Sequence, residues 1–160
     1  MNAASIEPSA LIDALRVETA GYRALITVLE AERDALRAAD PDALSALTAA
    51  KLDHVSALHG LASARLALLG QAGWPDMNTA LAALAAAPDG TVVRREWSSL
   101  LVLAGTARGL NDVNGRLIAN QQRHFDAALQ SLLQAAGVPP VYGADGRPQR
   151  LAAVRARAAA

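Results

Sequence analysis

The sequence has no cysteine and very few aromatic residues: one Phe, two Trp and two Tyr among 160 positions. Without cysteine the chain can form no disulfide, no thiolate zinc site and no cysteine nucleophile, which fits a reducing compartment. β-Sandwiches and β-barrels place aromatic and β-branched residues on their pleated faces. The scarcity of aromatics therefore argues against a sheet architecture.

The chain also lacks an excess of charge of either sign and a long apolar run. Its 15 basic and 15 acidic residues give a formal net charge of zero, which argues against a protein built to neutralise nucleic-acid phosphate. No stretch approaches the roughly 18 apolar residues of a membrane helix. The first residues, MNAASIEP, lack the basic and apolar segments of a signal peptide. We therefore expect a cytoplasmic protein with no nucleic-acid partner and no stable membrane insertion.

Alanine and leucine are abundant, at 39 and 24 residues. Both are strong helix formers, and a chain of this length corresponds to one domain. Apolar residues recur at helical spacing over about residues 9–39 and again over about 41–69. Asp40-Pro41-Asp42 separates the two segments, and proline suits the first position of a helix. The pattern predicts an antiparallel hairpin of two long helices.

Two cations, Lys51 and Arg65, lie beside the apolar stripe of the second predicted helix, and the first helix carries Glu18 and Glu32 in its own stripe. Long basic side chains extend along apolar surface while their charged ends seek a polar partner. We therefore expect Lys51 and Arg65 to reach toward Glu18 or Glu32 across the hairpin rather than to take part in chemistry.

Two further helices are predicted beyond the hairpin, a short one over residues 77–86 and a long one over about residues 91–136. At 1.5 Å per residue the long helix would measure about 69 Å, more than a compact domain needs. The predicted fold is all-α, an elongated antiparallel helical hairpin or bundle of three long helices plus one short helix. Gly105, Gly109 and Gly115 weaken the last helix, which predicts a kink or a close helix contact there.

The last long helix is predicted to end at Gly137-Val138-Pro139-Pro140, because proline cannot continue a helix. We therefore expect a helical domain over residues 1–138, then a linker and a flexible C-terminal tail over residues 139–160.

No residue pattern indicates catalysis or a metal site. His54 and His59 are five positions apart, not the four that place two ligands on one helix face, and no Glu-x-x-His pair is present. The sequence also contains no phosphate-binding Gly-rich loop and no nucleophile elbow. We expect no enzyme activity, no metal and no cofactor.

Three segments carry a family resemblance. The first is Leu29-Glu30-Ala31-Glu32, followed by Leu36, a short acidic turn, Leu44, Leu47, Lys51 and Arg65. The second is an Asn-x-x-Asn-Gly segment, Asn111 to Gly115, and the third is a Tyr-Gly-x-x-Gly segment, Tyr142 to Gly146. In their order and spacing these segments resemble the FlgN-type flagellar export chaperones of bacteria, over roughly residues 10–147.

The resemblance implies a non-enzymatic chaperone that binds the hook-associated proteins of the hook-filament junction, prevents their premature assembly or aggregation and delivers them to the flagellar export gate and its ATPase complex. In that family the C-terminal helical region holds the amphipathic terminal helix of the client, and the tyrosine of the Tyr-Gly-x-x-Gly segment is associated with docking at the gate. The implied client contacts are Asn111, Asn114, Leu117, Ile118, Gln121, Phe125, Ala128 and Leu132, and the implied gate contacts are Tyr142, Gly143 and Gly146.

Two other classes of protein stay open on the residues alone. A structural coiled-coil or helical-bundle adaptor unrelated to flagella would show the same composition and periodicity. A small helical enzyme or metal-binding bundle would need converging carboxylate and histidine pairs, which this sequence does not offer.

Overall fold

The computed structural model describes residues 7–135 and consists of four helices. They are α1 (Pro8–Ala38), α2 (Pro41–Gln71), α3 (Met77–Ala83) and α4 (Gly90–Ala135). No strand occurs within residues 7–135, so the prediction of an all-α fold with three long helices and one short helix is confirmed. The observed α3 ends three residues before its predicted end. The predicted boundary at residue 138 and the predicted tail lie outside the described residues.

Side-chain caps mark the starts of α2 and α3. The Asp40 carboxylate accepts a hydrogen bond from the backbone N–H of Ala43 at 3.0 Å, at the start of α2. Ala39, the residue before Asp40, adopts a left-handed backbone conformation with φ of 53°. It follows the last residue of α1, Ala38. The Asp76 carboxylate caps α3 in the same way, at 2.7 Å from the Thr79 N–H. Caps of this kind satisfy donors that a helix start otherwise leaves unpaired.

The chain divides into two compact units, Met1–Leu117 and Ile118–Ala160, and helix α4 contributes residues to both. In the first unit α1 and α2 pack together as the predicted hairpin. One core cluster of this unit draws on all four helices, and a second draws on α1, α2 and α4. The buried members are Leu11, Ile12, Leu15, Leu69, Met77, Ala80, Leu84, Val93 and Leu100 in the first cluster and Leu25, Leu29, Leu58 and Ala107 in the second.

The fully buried side chains of α4 form a single column. Val93, Leu100, Ala107 and Asn114 are all buried and follow one another at intervals of seven residues. Seven residues make about two helical turns, so the column faces one side of the helix. Asn114 is the last buried residue of α4 among residues 90–135.

Three of the four glycines of α4, Gly105, Gly109 and Gly115, lie away from this column. A Cβ atom added at Gly105, Gly109 or Gly115 would meet nothing within 4 Å beyond its chain neighbours and the nearby backbone of its own helix, and α4 runs without interruption through all three. The expected close helix contact at the glycines is therefore wrong, and the kink expected as its alternative stays a prediction. The close approach in this stretch is made by the Asn114 side chain, which reaches the backbone of α1.

Candidate partner-binding site

Two buried carboxylates of α1 are each paired with a cation of α2. The first is Glu18, whose Oε2 accepts a hydrogen bond from Arg65 Nε at 2.7 Å, while Arg65 Nη2 lies 3.5 Å from Oε1. The Arg65 guanidinium also lies over the Trp97 ring of α4, 5.0 Å from its centroid. A planar guanidinium suits both contacts, because it can bind a carboxylate through two nitrogens and still stack on an aromatic face.

The second buried carboxylate is Glu32, and it too has partners on two other helices. Lys51 Nζ of α2 lies 2.5 Å from Glu32 Oε1. From α4, Asn114 Nδ2 donates hydrogen bonds to Glu32 Oε2 and to the Leu29 backbone oxygen, both at 2.8 Å. Burying a charge is costly unless it is paired and hydrogen-bonded, and here both carboxylate oxygens have a donor.

We call these two groups the polar layers: Glu18, Arg65 and Trp97 form one, and Glu32, Lys51 and Asn114 form the other. The expectation that Lys51 and Arg65 reach across the hairpin is confirmed. The glutamates are fourteen residues apart on α1 and the cations fourteen apart on α2, which is about four turns on each helix. One antiparallel register of the hairpin therefore satisfies both pairs.

Asn114 was expected among the client contacts, and the structure places it elsewhere. Its exposed fraction is 1%, and its amide nitrogen is occupied by Leu29 and Glu32. A buried side chain cannot touch a client in this conformation, so we reassign Asn114 to the junction of α4 with α1. The sequence does contain a signal for this role, because Asn114 continues the series of positions that starts at Val93 and repeats every seven residues.

The expected client contacts from Ile118 onward form an exposed stripe. Phe125 and Leu132 are 70% and 67% exposed, and Ile118 is 37% exposed. Residues seven apart share a helix face, so these three side chains lie in one row, with the exposed Gln121 and Ala128 beside them. Leu129, 38% exposed, adjoins the row four residues after Phe125 and was missed in the sequence. We call Ile118, Phe125, Leu129 and Leu132, with Gln121 and Ala128, the apolar stripe.

The other expected site residues have different surroundings. Asn111 is exposed and Leu117 is half-buried, both in the first unit. The expected gate contacts Tyr142, Gly143 and Gly146 lie outside the described residues.

Comparison with known protein families shows to which family the chain belongs. The model of the family described as FlgN protein matches residues 1–150. The chain belongs to the FlgN family. No curated protein and no solved structure matches it.

FlgN proteins are flagellar export chaperones, and that general role applies to this member of the family, with flagellar client proteins as its partners. FlgN is not known as a family of enzymes. The family match also removes the reason to consider an adaptor unrelated to flagella.

Two structural findings complete the description of the site. Within residues 7–135, no three histidine or carboxylate side chains converge in a way that would hold a metal ion. None of the four described helices combines the length and the apolar character that crossing a bilayer requires.

Proposed function

We propose that this FlgN-family chain is a cytoplasmic chaperone that binds the amphipathic terminal helix of hook-associated proteins along its apolar stripe. Binding keeps the client from premature assembly or aggregation and delivers it to the export gate. The observation that carries the proposal is the exposure of Phe125 and Leu132 together on one face of α4. Contiguous exposed apolar side chains are typical of interaction sites.

The stripe has the chemistry that a client helix needs. An amphipathic helix binds by laying its apolar face against another apolar face, with anchors three, four and seven residues apart. Ile118, Phe125 and Leu132 provide the seven-residue spacing, and Ala128 leaves room beside Phe125 for a larger client side chain. Phe125 is the sole phenylalanine of the chain, and large aromatic anchors carry a disproportionate share of binding energy.

Phe125→Ala tests the proposal. Burying a Phe side chain stabilises a complex by about 1.5–3 kcal/mol, so the variant should bind a hook-associated protein at least about tenfold more weakly. Isothermal titration calorimetry with the purified client measures the change.

Leu52→Ala is the matched control, because Leu52 is 64% exposed and lies on α2 in the first unit. It should bind the client as the wild type does. Equal affinities of the Phe125 and Leu52 variants, or no binding of hook-associated proteins by the wild type, would contradict the proposal.

For the export gate we propose Tyr142, Gly143 and Gly146, on the strength of the Tyr-Gly-x-x-Gly segment alone. Tyr142→Ala should leave folding and client binding intact and weaken capture of the chaperone by immobilised gate components, since tyrosine provides a large amphipathic contact. Unchanged capture would remove Tyr142 from the gate contacts.

A further inference from the structure

The exposed side of α2 is apolar where a surface helix is normally charged. Helix α2 packs against α1, and its buried residues are Leu58 and Leu69. On its exposed side Leu52, Val55 and Leu66 are each at least half accessible to water. Apolar side chains that cluster at the surface in this way are typical of contact sites with another protein.

Small side chains run along the middle of this exposed side. Ala49, Ser56, Ser63 and Gly70 are all exposed and lie seven residues apart. Because seven residues make about two turns, they form one row on α2, which we call the central row. Small side chains let a second helix come close, toward the lower end of the interaxial range of about 8–10 Å.

A second row lies along one edge of the central row. It consists of Leu52, His59 and Leu66, which are also exposed and seven residues apart, and we call it the leucine row. His59 is midway between the leucines, so the row has the same order in both directions. A two-fold axis brings the same surface of two copies together. Two copies of α2 that pack antiparallel about an axis near His59 therefore place Leu52 of each copy against Leu66 of the other copy.

The charges of α2 favour a second copy over a charged partner. Between residues 45 and 70 the formally charged residues are Lys51, Asp53 and Arg65, and the two cations are paired with buried glutamates of α1. Only Asp53 of the three is exposed, so a nucleic acid or an anionic lipid surface finds no free cation there. The centre of an interface between protein chains is depleted in charge in the same way.

The exposed side of α2 is large enough for a weak dimer. Residues 45–70 span about 39 Å at 1.5 Å per residue, and a helix with its side chains is about 10 Å wide. Two such surfaces bury on the order of 1,000 Å² together, close to the lower limit of specific protein interfaces. An interface of that size predicts a reversible dimer that forms only at raised protein concentration.

We propose that two copies of this chain associate through the central row and the leucine row of α2, antiparallel and around a two-fold axis near His59. Leu52 and Leu66 are then removed from water in both copies. The inference goes beyond the proposed function and is independent of it, because the apolar stripe starts at Ile118 and belongs to the other unit.

Sedimentation velocity of the full-length chain over roughly 1 µM to 1 mM tests the association. The sedimentation coefficient of the wild type should rise with concentration from that of a monomer to that of a dimer. Leu66→Lys puts two lysines into each dimer and should weaken association at least about tenfold. Leu101→Lys is the matched control, because Leu101 lies on α4 in the first unit and is 51% exposed, against 55% for Leu66. It should dimerise as the wild type does.

Three outcomes of this experiment would overturn the inference. The first is a wild type that stays monomeric at every concentration. The second is association that Leu66→Lys leaves unchanged or weakens no more than Leu101→Lys does, because the contact would then lie elsewhere. The third is a monomeric wild type that loses a hook-associated protein on Leu66→Lys, because the exposed side of α2 would then serve the client.

The absence of cysteine from the chain allows a test of the antiparallel arrangement. A Cβ atom at Gly60, beside His59, or at Gly70 would meet nothing within 4 Å beyond its chain neighbours and the nearby backbone of its own helix. A short bis-maleimide should join two copies of Gly60→Cys near the axis. Two copies of Gly70→Cys would lie roughly 30 Å apart and should stay separate.

Both variants are cross-linked at a concentration where the wild type is dimeric. In a parallel dimer each residue lies opposite itself, so equal cross-linking of Gly60→Cys and Gly70→Cys would overturn the antiparallel arrangement. Failure of Gly60→Cys to cross-link would overturn the placement of the axis near His59.

Discussion

Arg65→Met should be one of the most damaging single exchanges in the hairpin. Arg65 supplies the charge that compensates Glu18, and both side chains are nearly inaccessible, at 11% and 3% exposed. Methionine fills much of the volume of the arginine stem but offers no donor and no charge. The exchange therefore leaves a buried carboxylate with no cation beside it and removes the guanidinium from the Trp97 ring.

The size of the effect follows from these contacts. Breaking a buried ion pair by removing one partner costs about 3–5 kcal/mol, because the remaining charge is uncompensated. Total stabilities of small domains are about 5–15 kcal/mol, so the loss is a large share of the whole. Arg65→Lys retains the charge but loses the two-nitrogen contact and the stacking, and it should cost clearly less than Arg65→Met.

Urea unfolding followed by far-ultraviolet circular dichroism measures the free energies, and a double-mutant cycle isolates the pair. Replacing a buried ion pair by apolar residues of similar volume is often neutral or stabilising, so Glu18→Leu combined with Arg65→Met should recover most of the stability that Arg65→Met loses. Two results together would refute the idea that Glu18 and Arg65 form a buried, desolvated ion pair. One is a cost of less than about 1 kcal/mol for Arg65→Met, and the other is a double variant whose free energy equals the sum of the two single changes.

Two further predictions concern the starts of helices α4 and α3. A Cβ atom at Gly90 would overlap the Leu84 carbonyl oxygen, so Gly90→Ala should cost about 1–3 kcal/mol. The control Gly109→Ala, which faces open space, should gain about 0.5–1 kcal/mol; a gain in both variants by thermal unfolding would contradict the packing at Gly90. The hydrogen bonds from Thr79 hold the pKa of Asp76 below its ordinary value of 3.8, so its cap contributes fully above pH 3.8 and is lost as pH falls through the lowered pKa. Asp76→Asn should remove this acid-dependent part of the stability, and identical pH profiles of the two proteins in urea unfolding would exclude it.

The hairpin was predictable because its signals are local. Asp40-Pro41-Asp42 determines the turn, and a short turn between two heptad patterns leaves few registers. The carboxylates at positions 18 and 32 interrupt an apolar stripe, and buried charges need partners, so cations at the matching positions of α2 were the natural expectation. Which cation meets which carboxylate depends on the length of the turn and on how the helices pack.

The contribution of α4 was harder to predict, because its contacts join residues far apart in sequence. Asn114 lies 85 positions from the Leu29 carbonyl that it binds, and an amide within an apolar stripe fits an interior contact and a surface contact equally well. Helix glycines are ambiguous in the same way. They can allow another helix to approach or simply face solvent, and Gly105, Gly109 and Gly115 face open space.

If the client binds as proposed, the absence of buried side chains on α4 between Asn114 and Ala135 also affects how long it stays bound. A helix with so little packing opens easily, so part of any interaction free energy is spent on ordering it. Affinity per unit of buried area is then lower, and differences in affinity are expressed mainly as faster dissociation. Under the proposed function, a chaperone whose cargo must be handed on gains from this, because a weakly packed binding surface would release the client after a short residence time.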